Sequence, residues 1–75
     1  MNRERRKALF CVSDKIRAVK DDLEGLKAEE ERAYENLPEG IQMGKQGDAL
    51  AENIGLFEEM LDNLESTLDL MVEIE

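Results

Sequence analysis

Glu52, Glu58, Glu59, Asp62, Glu65, Asp69 and Glu73 run through the second half of this 75-residue chain, and no Lys or Arg follows Lys45. Carboxylates can do acid–base chemistry, hold a cation, or present a charged surface. Acid–base work needs a cleft that shifts a carboxyl pKa, and nothing around Glu58 and Asp62 in the sequence specifies one. Carboxylate metal cages in helical bundles normally include a Glu-x-x-His pair, and the chain has no histidine. No spacing matches a calcium loop. The single cysteine, Cys11, has no histidine to activate it as a nucleophile and reads as a small buried hydrophobe. The segment Gly40-Ile41-Gln42-Met43-Gly44-Lys45-Gln46 is one residue too short for a phosphate loop, lacks Ser or Thr after the lysine, and follows no strand. The expectation is a protein that is not an enzyme and uses no cofactor, metal or small-molecule substrate.

A charged surface is the remaining use. Glu58/Asp62, Glu65/Asp69 and Asp69/Glu73 are like charges four apart. On a helix each such pair costs a few tenths of a kcal/mol, roughly 0.2–0.5. Stability alone would favour interleaved lysines, as in the first half. Two readings follow. The stripe is a solubilising face, or it is a strip of negative charge that imitates a nucleic-acid backbone or docks in a basic groove of another protein. The candidate partner-binding residues are Glu58, Glu59, Asp62, Glu65 and Asp69.

The charge is unevenly divided. Residues 1–36 hold nine basic and nine acidic side chains, and residues 37–75 hold one basic and ten acidic, which places the whole net charge of -9 in the second half. The basic start, Arg3, Arg5, Arg6 and Lys7, is short and interrupted by Glu4, so direct nucleic-acid binding is not expected. It resembles the charged start of a signal peptide, but the apolar stretch after it ends at Asp14. No run approaches the roughly 20 apolar residues of a membrane span. A lone thiol suits a reducing compartment, and the expected location is cytoplasmic.

These side chains must be positioned by helices. In the first half Leu9, Val12, Ile16, Val19, Leu23, Leu26, Ala33 and Leu37 repeat at alternating spacings of three and four, with Glu30 in one apolar slot. In the second half Leu50, Ile54, Phe57, Leu61, Leu64, Leu68 and Met71 do so without interruption. Nothing alternates with period two, so no strand is expected. Between the seams lie Pro38, Gly40, Gly44 and Gly47. Asn36 with Glu39 suggests a capping box for one short turn, and Asp48 a cap for the second helix. The spacing predicts one domain over 1–75: a helix at 3–36, a hinge with a short turn at 37–46, and a helix at 47–74. A short hinge makes the two helices an antiparallel hairpin.

That hairpin would bring Arg3, Arg5, Arg6 and Lys7 beside Asp69, Glu73 and Glu75. It would also gather Ala8, Phe10 and Cys11 with Leu70, Val72 and Ile74 at the open end. Leu56 and Met60 widen the apolar face of the second helix. More apolar surface than two helices can cover points to a bundle of more than two. The expected assembly is a homodimer forming a four-helix bundle, with Leu9, Phe10, Val12, Leu68, Met71 and Val72 at the interface with itself or with a partner. Gly25 and Gly55 lie off the seams, as tolerated drift or as places where another helix comes close.

Several stretches also carry a family likeness. They are Arg5-Arg6-Lys7, Ala33-Tyr34-Glu35-Asn36-Leu37-Pro38-Glu39-Gly40-Ile41-Gln42, Gly47-Asp48, and Phe57-Glu58-Glu59-Met60-Leu61-Asp62-Asn63-Leu64-Glu65-Ser66. With them the chain resembles small acidic helical-hairpin proteins of bacteriophages and bacterial mobile elements. The resemblance implies such an origin and a bacterial host cell. Most of those families have no assigned activity. Small acidic phage proteins of this general kind include inhibitors of host defence nucleases, some of them nucleic-acid mimics. By that analogy the acidic helix would engage a basic, nucleic-acid-handling protein. The alternative is a structural or assembly homo-oligomer whose acidic face only solubilises it.

Overall fold

A computed structural model describes residues 1–75. The chain is all helical: α1 (Arg3–Glu35), the one-turn α2 (Glu39–Gln42) and α3 (Lys45–Val72). The molecule is a rod of 58 × 15 × 11 Å. α1 and α3 pack along each other, and α2 packs on α3. They run antiparallel, because Lys20 meets Glu65, Glu30 meets Asn53, and the Met1 amino nitrogen lies 2.6 Å from the Glu75 carbonyl oxygen.

Local chemistry sets the ends. Asn2 caps α1, its side-chain oxygen accepting the Arg5 N–H at 2.8 Å. α1 stops at Asn36, because Pro38 disfavours a helical Leu37. The Pro38 carbonyl then accepts the N–H groups of Ile41 and Gln42 at 2.8 and 3.0 Å, which starts α2. The expected Asn36–Glu39 capping box does not form. Asn36 is the C-cap of α1 and keeps helical angles, and Pro38 itself is the N-cap of α2.

α3 begins earlier than expected, and Asp48 is not its cap. Gly44 is extended at that position, and the Asp48 N–H makes the first intrahelical bond, to the Gly44 carbonyl at 3.0 Å. Gly47 is buried inside the first turn. A Cβ built there would overlap the backbone carbonyl of Gln42, so only glycine lets the two backbones nest. The Gln42 side chain completes the hinge. Its Nε2 donates to the carbonyls of Tyr34 at 3.1 Å, which also accepts the Leu37 N–H, and of Leu37 at 3.0 Å, tying the loop to the end of α1.

The two helices use their seams differently. On α3 every seam residue from Leu50 to Met71 is buried or half-buried. On α1 one row, Leu9, Ile16 and Leu23, faces α3 as expected, and Leu37 is half-buried just past the helix end. The other does not: Val12, Val19 and Leu26 are 44, 48 and 47% exposed, and Ala33 is exposed. Ser13, Lys20, Lys27 and Tyr34 take their place against α3. The cause is visible in the contacts, because Lys20 and Lys27 lean over α3 to reach Glu65 and Glu58.

Glu30 occupies its apolar slot with a partner, for Asn53 Nδ2 donates to its Oε2 at 3.1 Å. The core is thin. Three of 75 residues are buried, and Leu68, 8% exposed, is the only apolar side chain among them. Gly25 and Gly55 have nothing within 4 Å of an added Cβ, so no close approach inside the chain requires either.

Candidate functional site

The hairpin has two broad faces and an outer edge on each helix. On the first face α1 offers Arg17, Lys20 and Asp21, and α3 offers Glu65, Asp69 and Val72, around a shallow groove. Lys20 Nζ lies 2.6 Å from Glu65 Oε2, and Lys27 Nζ lies 3.4 Å from Glu58 Oε1 and 4.0 Å from Glu31. Lys20 and Lys27 are seven apart, as are Glu58 and Glu65, so both pairs repeat on one side of the hairpin. The hydrogen bond from Lys20 holds the Glu65 carboxyl below the ordinary carboxylate range. The same bond holds the Lys20 amine above its ordinary value.

The acidic residues therefore divide. Glu58 and Glu65 are tied to lysines of α1. Glu59, Asp62 and Asp69 are exposed and belong to no ion pair. Asp62 and Asp69 share one heptad row, and Glu59 with Glu52 and Glu73 forms the next, on the edge of α3 away from α1. That edge carries no basic residue after Lys45. It can attract a cationic surface.

The second face is apolar. Leu26, Leu56, Phe57 and Met60 line a groove whose polar end is Glu29, Glu30 and Asn53. Val12 and Val19 continue the Leu26 row, and Leu70 the Leu56 row.

The six residues expected at an interface are dispersed. Leu68, Leu9 and Met71 lie in the seam between α1 and α3, so the hairpin itself uses them. Phe10 and Val72 are 69% and 81% exposed at the open end, where they and Ile74 surround a pocket over the small side chain of Ser13. Val12 belongs to the apolar face. Cys11, expected to be buried, is exposed. Its row on α1 is shared by Glu4, Ala18, Gly25 and Arg32 and points away from α3.

The hairpin brings the basic start to the acidic end, where the Met1 amino group meets the Glu75 carbonyl, but without ion pairs between side chains. Arg3, Arg5, Arg6 and Lys7 make no ion pair with Asp69, Glu73 or Glu75. Arg6 instead donates to the Met1 carbonyl at 3.5 Å. Asp69 instead borders the first-face groove, whose basic members are Arg17 and Lys20 of α1.

No three Cys, Asp or Glu side chains gather closely enough to hold a metal ion. No helix is long and apolar enough to cross a membrane. Comparison with family models, curated proteins and solved structures finds no match to this chain.

Proposed function

We propose that this protein is a non-enzymatic binding module that works as a homodimer and presents the acidic edge of α3 to a basic surface of a nucleic-acid-handling protein. The mobile-element origin implied by the resemblance makes a host defence protein the natural class of partner, with the edge imitating a nucleic-acid backbone. The observation that carries this reading is the division of the carboxylates. Glu58 and Glu65 serve the hairpin, whereas Glu59, Asp62 and Asp69 stay unpaired along a continuous edge. Such an edge speeds encounter with a cationic groove, and its attraction weakens with salt.

The test uses the unpaired residues, because reversing Glu58 or Glu65 would also damage the hairpin. Wild type and a Glu59→Lys, Asp62→Lys, Asp69→Lys variant are tagged and incubated with nuclease-treated bacterial lysate. The expected result is one dominant basic protein held by wild type, released by moderate salt, and lost from the variant while its helical signal persists. Equal recovery by both would refute the acidic-edge reading. A thin core with wide apolar exposure favours the second reading, a structural homo-oligomer. Under it wild type recovers nothing but itself.

A further inference from the structure

We infer that a second copy of this chain covers the face formed by Val12, Val19 and Leu26 of α1 and Leu56, Met60 and Leu70 of α3, completing a four-helix bundle. This rests on the self-association proposed above and names the surface that makes it.

Three observations lead there. The first is the direction of the apolar side of α1. At 3.5 residues per turn, the Val12–Val19–Leu26–Ala33 row lies about 50° round the helix from the Leu9–Ile16–Leu23 row, on the side away from Lys20 and Lys27. The apolar side of α1 therefore points between α3 and the second face, not at α3. A helix in a four-membered bundle looks that way, its core lying roughly 45° round from each adjacent neighbour. α3 agrees, since Leu56 and Met60 extend its apolar arc toward the same side.

The second observation is area. A compact 8.6 kDa monomer exposes about 4,700 Å². This chain exposes 5889 Å². Pairing two rods of this length on a broad face would remove on the order of 2,000 Å² in total, the range of obligate homodimers.

The third is charge. Two chains of net charge -9 must meet without bringing their acidic edges together. At the margin of this face α3 carries only Ala49 and Asn63 beside its leucines, and α1 carries Lys15, Asp22 and Glu29. The face holds Lys15 against Asp22, Glu29 and Glu30, far less negative than the outer edge of α3, so a like-charged copy meets less repulsion here than there. A basic partner would be drawn to the outer edge of α3 instead. The pair Glu30–Asn53 sits at the polar end of the groove and would restrict the register of the incoming copy, as a polar layer does in coiled coils.

The test combines mass in solution with thiol protection. Wild type is expected to sediment at about twice 8.6 kDa. A Leu26→Lys, Met60→Lys variant should fall to the monomer mass, and a Phe10→Ser, Val72→Ser variant at the open end should stay dimeric. Because the lysine variant can also unfold, conservative probes are added. Val19→Cys and Val72→Cys are each made with Cys11→Ser, and maleimide labelling is timed in dilute and concentrated protein. The Val19→Cys thiol should label at least tenfold more slowly when concentrated, and the Val72→Cys thiol equally fast in both. A monomeric wild type would overturn both the self-association and this face, leaving a different protein as its occupant. A dimer that protects the Val72→Cys thiol and not the Val19→Cys thiol would keep self-association and overturn this face. The acidic-edge reading is unaffected by either outcome, since its own test is charge reversal.

Discussion

The two broad faces of the hairpin carry opposite chemistry. On one, Lys20 and Lys27 reach across to Glu65 and Glu58, so the charges of α1 and α3 satisfy each other within the chain. On the other, Leu26, Leu56 and Met60 are left at the surface, and Glu30 with Asn53 supplies the only cross-helix polar contact. The ion pairs go with an orientation of α1 that turns its valine row outward. Exposed ion pairs contribute little stability themselves. They lie on the side of α1 opposite the exposed Val12, Val19 and Leu26 row.

The comparison can be broken first at the seam that both faces share. Leu68→Ala removes the one buried apolar side chain and should cost about 2–4 kcal/mol in urea denaturation. Next comes the hinge that holds the faces in register. Gly47→Ala puts a methyl group into the Gln42 carbonyl, and the loss should be about 2–3 kcal/mol. Gln42→Ala leaves the Tyr34 and Leu37 carbonyls without their side-chain donor and should cost about 1–2 kcal/mol. Gly25→Ala and Gly55→Ala have the opposite sign. Both sites are open, so each should raise stability by about 1 kcal/mol through helix propensity alone.

The smallest effect is expected on the charged face, where pH sharpens the contrast. Glu65 is held below its ordinary value, so its contribution is present above the unfolded carboxyl pKa and fades as pH falls through the folded one. Lys20 is held above its ordinary value of 10.5, so its contribution is complete below that pH and fades as pH rises through the folded value. Between those limits a Lys20→Met variant should melt only slightly below wild type. The difference should shrink in 1 M salt, because both groups are solvent-accessible. A large, salt-independent difference would mean that the pair is sealed from water.

Much of this architecture was legible from spacing. The uninterrupted row from Leu50 to Met71 marks both the helix and its buried side. On α1 the period marked the helix but not the buried side, since Lys20, Lys27 and Ser13 count as polar in any apolar tally. The signal that would have found them is the matching seven-residue spacing of Lys20/Lys27 and Glu58/Glu65. Glu30 becomes intelligible only beside Asn53, 23 residues away. Gly47 reads as a breaker until the Gln42 backbone is seen against it. The candidate acidic stripe was visible as a whole, but its division into paired and free carboxylates depends on the rotation of α1, which no local pattern encodes.

The most direct test of a fold that completes its core with a second copy is the concentration dependence of melting, followed by far-UV circular dichroism. Between about 2 and 200 µM, a hundredfold change contributes about 2.7 kcal/mol to a dimer that folds on assembly. The expected result is a Tm that rises by roughly 5–10 °C across that range. A Tm independent of concentration would contradict it, and the hairpin would then have to stand on its own thin seam.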